Sequence, residues 1–392
     1  MIKNLDIDEQ FWITSELKLI LNQYAKNSTF LVDTGDTSAH DIEHYENIIK
    51  NGSVKDTDLW IFWLKHEAHI PFDIPELDYV LNLHKVCKKL EMDESKVVFI
   101  NCDLDLHKNY DKWFEINDRK YNLTKKINCI GFPWYFLQDR ENILQEFGKN
   151  PYKFIKYQDR EELPNKKFIC LNGTYNRSRK YIIDKLENFK QDGYLSDLSR
   201  EIQLDNIPIK ELVGDDRSDE PSVFLLEDFH KDSYFSIVNE AGGSWNKKAW
   251  AVDGETLEQF ILENPTKHPD VWVEPNQDGI SAYFTEKITK PLYYGQPFIL
   301  IGSRNSYKVL KDWGFEIFDD IFDLSYDNME TWEERTKAAW KQIEKILTLS
   351  EEEFYKIFHS NHIQEKVIYN QKRFFSCNGY VEKFINTLGE LN

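Results

Sequence analysis

The sequence predicts an α/β protein with two Rossmann-like domains followed by C-terminal helices, and three observations lead there. Short apolar runs of strand length alternate with stretches of helical spacing, the pattern of a mostly parallel sheet. The alternation occurs twice, on either side of a polar segment at 139–167 that carries Pro151 and Pro164 and few apolar anchors. At 392 residues the chain exceeds what one hydrophobic core usually holds, and 41% hydrophobic with 15% aromatic residues supplies material for two.

In the first series, residues 29–32, 59–64, 97–100 and 127–130 read as strands. Residues 79–90 read as a helix, because Val80, Leu83, Val86, Cys87 and Leu90 recur at helical spacing. The second series opens with a strand at 168–171 and a helix from about Ser178, whose Ile182, Ile183, Leu186 and Phe189 share a side. It continues through a strand at 234–238, a helix opening near Thr285, a strand at 298–301, a helix ending at Gly314 and a strand at 315–318. Gly295 and Gly314 stand where helix ends call for a left-handed residue. After Asp327 the pattern is helical, with capping boxes at Thr331/Glu334 and Ser350/Glu353. The expected units are one Rossmann-like domain at 1–150, a second at 165–345 and helices at 346–392.

A formal charge of −19 disfavours broad nucleic-acid binding, although it leaves room for a local basic groove. Five scattered cysteines without a CxxC pair point to reduced thiols. No apolar run reaches transmembrane length and the first residues lack a signal-peptide pattern, so no membrane association and a cytoplasmic location are expected.

The segment 171–180, LNGTYNRSRK, puts a glycine-containing turn (Asn172, Gly173) between strand and helix and loads Arg177, Arg179 and Lys180 into the first helical turn. Cations there oppose the helix dipole, so an anion such as a diphosphate is the missing partner; the alternative is that these side chains point to solvent. A second constellation combines SIVNE, ending at Glu240, with FTEKITKP at 284–291. Glu286 falls in the first turn of its helix, where a carboxylate can accept both hydroxyls of a ribose, and Lys287 or Lys290 can meet phosphate. An ordinary capped helix with Glu early and Lys late is the alternative.

The run FTEKITKPLYYGQPFILIGSRNSYKVLKDWGFEIFDDIFDLSYD, with SYFSIVNE and KKFICLNGTYNRSRKYII before it, resembles a glycosyltransferase family of tailed phages and large DNA viruses. Its TEK triplet and following Gly and Pro turn are similar to the donor motif of α-1,3-fucosyltransferases. The likeness covers residues 166–327. It implies a GT-B fold in which 1–150 is the acceptor side, 165–345 binds the nucleotide sugar and 346–392 packs near the interdomain cleft, and a viral chain would work in its host's cytoplasm. It also implies Glu286 on the nucleotide ribose, Lys287 on the donor phosphates and Arg179 on the diphosphate, facing ligand. Glu240 would lie near the transferred sugar, and Gly295 and Gln296 would shape the pocket wall. The loop departs from the Arg- and Pro-rich form of the relatives at Gly173 and Tyr175, so Arg179 is the firmer assignment and Arg177 the weaker.

Between Glu240 and Phe284, Trp245, Trp250 and Trp272 could stack on sugars, or simply pack an insertion's own core. Aspartates directly after strands, Asp33, Asp36, Asp103 and Asp105, are the candidates for a general base, though loop aspartates commonly form turns. The spacing of His66, Glu67 and His69 is wrong for a zinc helix, and His40 with His44 lacks a clear third ligand. The donor half has no DxD segment. The expectation is therefore a metal-independent transfer with no cofactor, from a nucleoside-diphosphate sugar to a hydroxyl acceptor, either a glycan or a hydroxymethylated base of viral DNA. The alternative is a catalytically silent nucleotide- or carbohydrate-binding module of the same fold.

Overall fold

The computed structural model describes residues 3–5, 29–33, 60–64, 79–104, 106–133, 136–137, 140, 153–172, 177–197, 227–240, 284–376 and 387. These form an α/β structure with two separate, wholly parallel sheets.

The first sheet contains β1 (Lys3–Leu5), β2 (Thr29–Asp33), β3 (Trp60–Leu64), β4 (Val97–Asn101) and β5 (Asn128–Gly131), in sequential order. Right-handed crossovers in a sheet that never reverses order place the connecting helices on one face. Accordingly α1 (Tyr79–Lys89) and α2 (Leu106–Tyr121) both bury their apolar sides with Phe62, Val97, Phe99 and Cys129. The alternate residues Ile61, Val98, Ile100 and Ile130 belong to a different cluster. Inside the first cluster, His84 Nδ1 meets Glu94 Oε1 at 3.0 Å and its Nε2 meets the Tyr110 hydroxyl at 3.0 Å. Burial holds this imidazole below its ordinary pKa, against the pull of Glu94.

The second sheet has the order β7-β6-β8-β9, formed by β6 (Lys166–Asn172), β7 (Gly193–Asp197), β8 (Ser233–Asn239) and β9 (Phe298–Ile301). After β6 the chain goes outward to β7, then returns to the other side of β6 for β8. The strand order therefore reverses between β6 and β8. All seven residues of β8 are buried, as a parallel strand covered on both faces requires. The edge strand β9 is closed chemically: the Tyr307 hydroxyl accepts Leu300 N–H at 2.6 Å and the Tyr326 hydroxyl donates to Leu300 O at 2.8 Å. Two phenols thus occupy the groups that an added strand would use.

Helices α3 (Arg177–Leu186), α4 (Glu227–Lys231), α5 (Glu286–Tyr294) and α6 (Ser306–Asp312) accompany this sheet. They are followed by α7 (Trp332–Leu347), α8 (Glu351–Phe358) and α9 (Asn361–Phe375), with complete capping boxes at Thr331/Glu334 and Ser350/Glu353. Gly295 ends α5 at φ 67°, and Gly314 follows α6 at φ 82°.

Two sequence expectations need correction. Residues 315–318 are buried at Phe315, Ile317 and Phe318 but form no strand. Their backbone is satisfied by α9: Asn370 Oδ1 accepts Glu316 N–H at 2.8 Å, Asn370 Nδ2 donates to Glu316 O at 2.8 Å, and Lys366 donates to Ile317 O at 2.9 Å. Side chains replace the ladder, which an apolar run cannot announce. The polar segment at 139–167 also has firmer anchors than its composition implies. Phe154 and Tyr157 are buried, and their N–H groups donate to Gln371 and Gln364 of α9 at 3.0 and 2.7 Å.

Candidate functional site

In a parallel sheet flanked by helices, the crevice for a ligand opens at the carboxyl ends of the strands, where the strand order reverses. The first sheet has no reversal among its described strands. The second has one, between β6 and β8.

Both strands end the same way, an apolar run closed by asparagine: FICLN at Asn172 and FSIVN at Asn239. Ile169 pairs with Ser236, and the same register carried three residues onward sets Asn172 opposite Asn239. Both are buried. Asn172 Nδ2 donates to Cys170 Sγ at 3.3 Å, while Asn239 Oδ1 accepts from the Ser178 hydroxyl at 3.3 Å. The remaining polar atoms, Asn172 Oδ1 and Asn239 Nδ2, have no hydrogen-bond partner. Ser178 is fixed in turn by the Thr336 hydroxyl of α7 at 2.9 Å.

Two helices of full length start at this edge. The N-terminal turn of α3 supplies Arg179, whose Nε donates to Asn239 O at 3.2 Å. This guanidinium, expected on the donor diphosphate, is among the largest fully buried side chains, 1% exposed, so it contributes to packing as well as to the charge of the crevice. Lys180 of the same turn is partly exposed and pairs with Asp184 one turn on at 2.5 Å.

The start of α5 is set by Glu240, the residue after β8. Its Oε1 accepts Thr285 N–H at 3.1 Å and its Oε2 accepts the Thr285 hydroxyl at 2.6 Å. Thr285 is the N-cap of α5, accepting Lys287 N–H at 3.4 Å, and the Lys287 ammonium reaches the same oxygen at 3.2 Å. Glu240 is therefore seen positioning the helix that carries Glu286 and Lys287. Glu286 is the first residue of α5. Asp103, at the carboxyl edge of the first sheet, is 2% exposed and accepts from Asn109 Nδ2 at 2.9 Å. Asp36, Gly173 and the side chains of Arg177 and Glu286 lie outside the described residues, as do Asp105, the tryptophans 245, 250 and 272, and histidines 40, 44, 66 and 69.

The structure does not bring Gly295 and Gln296 to this crevice. They precede β9, at the amino edge of the sheet, with the nine residues of α5, about 13 Å of helix, between them and Glu240. A Cβ on Gly295 would come 2.8 Å from the Phe154 Cβ. The Gln296 carboxamide is fully used: Nε2 donates to His230 O, Ser233 O and Ser233 Oγ at 2.7, 2.9 and 2.8 Å, and Oε1 accepts from Ser236 Oγ and His230 Nδ1, each at 2.7 Å. It clasps α4 to β8. Because Oε1 can only accept, the His230 proton resides on Nδ1 and the buried Nε2 presents a lone pair without a partner. Burial pushes this imidazole down to about 3, with the positive charge of Lys290 adding to the fall and the Gln296 bond opposing it. Beside it, beneath α5, lies a cavity of about 20 Å³ lined by His230, Ser236, Lys287 and Lys290, room for one water and far too little for a nucleotide.

Asn239, Ser178 and Thr285 are the residues that motif reading passed over. The signal was present in the polar residue terminating each buried strand. Among the described residues no group of three His, Cys, Asp or Glu side chains is disposed to hold a metal ion, and no helix is long and apolar enough to cross a membrane. Comparison with protein-family models, curated proteins and solved structures finds no match to this chain.

Proposed function

We propose that the chain is a nucleotide-sugar-dependent glycosyltransferase of GT-B architecture, with two Rossmann-like domains and the donor held at the carboxyl edge of the second sheet. The reversal of strand order between β6 and β8, where the N-termini of α3 and α5 meet a buried guanidinium and two buried carboxamides with unused atoms, carries this reading. Likeness of the 166–327 segment to viral glycosyltransferases supplies the reaction class. In this reading Glu286 accepts the ribose hydroxyls, while Lys287, Arg179 and the amides opening α3 and α5 face the diphosphate. The acceptor hydroxyl attacks the anomeric carbon and loses its proton to a base, and the glycosidic oxygen leaves with its electron pair on the diphosphate. Cations and N–H dipoles stabilise that departing charge.

One observation favours the rival, a binding module without chemistry. Both oxygens of Glu240 are engaged by Thr285, and Asp103 is 2% exposed and held by Asn109, so neither stands open as a base. Calorimetric titration with UDP- and GDP-sugars, followed by donor-hydrolysis and transfer assays with and without EDTA, separates the readings. The proposal expects nucleotide-sugar binding with sugar release that survives EDTA. Binding with no turnover over a broad acceptor panel would select the module, and no binding of any nucleotide sugar would sink the proposal and the nucleotide-binding form of the module.

A further inference from the structure

The two carboxamides at the reversal point define what kind of group the crevice can take. Asn172 and Asn239 end adjacent strands, and the Ile169–Ser236 register continued three residues sets them opposite each other on one side of the sheet. Their unused atoms differ in kind: Asn172 Oδ1 is an acceptor and Asn239 Nδ2 is a donor. Asn239 Oδ1 lies 3.3 Å from the Ser178 hydroxyl, which leaves Nδ2 as the unused atom of this carboxamide. A phosphate oxygen would satisfy Asn239 Nδ2 but set lone pair against lone pair at Asn172 Oδ1. An ammonium would satisfy Asn172 and repel Asn239. A neutral hydroxyl both donates and accepts, so one such group satisfies both sites.

We infer that Asn172 and Asn239 form a hydroxyl-reading pair that receives one neutral hydroxyl of the ligand in the β6/β8 crevice, while the anionic part of that ligand lies elsewhere along the helix N-termini. The inference rests on the donor-site reading above and deepens it by dividing the crevice between a neutral floor and a cationic rim. Buried polar atoms left without partners cost stability, so their retention at a ligand crevice is understandable where a ligand group completes them. A hydroxyl of this chemistry can come from the ribose or from the transferred sugar, and the choice of probes distinguishes the two.

The test measures affinities for uridine and guanosine diphosphates, their 2′-deoxy and 3′-deoxy forms, UDP-glucose and GDP-mannose, and deoxy-sugar versions of the last two. Wild-type protein is compared with Asn239→Asp, which keeps the oxygen facing Ser178 and turns the free donor into an acceptor. The added charge weakens all nucleotides alike, so the informative quantity is the ratio of hydroxyl to deoxy affinity. For wild type that ratio should be about tenfold or more for one hydroxyl, and it should fall towards one in Asn239→Asp. Loss at a ribose position assigns the hydroxyl to the nucleoside, and loss only among the sugar analogues assigns it to the sugar. Asn239→Ala, which withdraws the donor without adding charge, should give the same collapse should Asn239→Asp fold poorly. If nucleotides bind but the ratio is the same in wild type and both variants, the pair is not a hydroxyl reader and the donor-site reading stands. A crystal structure of the nucleotide complex with only a water between the carboxamides would overturn the pair in the same way. Absence of any nucleotide binding would remove both.

Discussion

Glu240 and Thr285 are joined twice, carboxylate to backbone N–H at 3.1 Å and carboxylate to hydroxyl at 2.6 Å, across 45 residues of sequence. This clasp ties the end of a buried strand to the cap of the helix that follows the long intervening segment. A carboxylate buried to this extent needs both donors, since an ionised acceptor left without one is costly.

Removal of either partner should therefore have related consequences. Thr285→Val keeps the shape but strips the hydroxyl from Oε2, and Glu240→Ala leaves the α5 cap without its carboxylate. Each should lower the unfolding free energy by about 2–3 kcal/mol. A double variant should lose clearly less than the sum, because the two residues act as one unit. Urea denaturation of the cycle checks this, and additivity within about 0.5 kcal/mol would count against the clasp.

Neighbouring cations in the first turns of α3 should behave very differently. Arg179 is buried with its Nε on Asn239 O, whereas Lys180 is partly exposed and pairs with Asp184 at the surface. Arg179→Met should cost about 2–4 kcal/mol, and Lys180→Ala no more than about 0.5 kcal/mol. Equal midpoints in guanidinium chloride for the two variants would contradict the burial of Arg179.

The fold was legible where the physics is local. Strand runs at 29–32, 97–100 and 298–301 show as apolar segments, and Thr331, Ser350 and Gly295 announce helix ends through caps that depend on a few adjacent residues. What failed depended on distant partners. Nothing near Glu316 indicates that Asn370, 54 residues away, completes its backbone. The candidate site was half legible for the same reason. Its location follows from strand order, a property of pairing and not of sequence, whereas Glu240, Lys287 and Asn172 could be picked out by type. Gln296 illustrates the opposite error: it looked like a ligand contact because it borders a Gly-Pro turn, yet that turn lies at the other edge of the sheet.

The Gln296 clasp should be specific for a carboxamide. Its Nε2 has two backbone oxygens and one hydroxyl within 2.9 Å. Gln296→Glu would place an anionic oxygen against the carbonyls of His230 and Ser233, with a cost of about 2–4 kcal/mol, while leaving the carboxyl edge of the sheet intact. Thermal unfolding should fall markedly. Any nucleotide affinity at the crevice should change little at temperatures where the variant is folded, and a large selective loss of affinity would return Gln296 to the binding site.

Stability should carry a pH dependence from Asp327. Its Oδ2 accepts Tyr307 N–H at 3.0 Å at the start of α6, and its backbone oxygen accepts Asn305 N–H at 3.0 Å, so it holds the turn between β9 and α6. Burial pushes its carboxyl up from 3.8 to about 6, outweighing the Tyr307 bond and the nearby Arg335, both of which favour the anion. A raised folded pKa means that the native state binds the proton more tightly than the unfolded chain. Between about pH 4 and pH 6 the native state then holds more protons, so this group's contribution to stability declines as pH rises and reaches its full cost above pH 6. Asp327→Asn keeps an acceptor for Tyr307 N–H and removes the titration. The difference in unfolding free energy, variant minus wild type, should therefore shift in the variant's favour by about 2–3 kcal/mol between pH 4 and pH 7. Subtracting the two profiles cancels the other carboxylates. A difference that stays flat across that window would show that Asp327 titrates in the folded protein as it does in water.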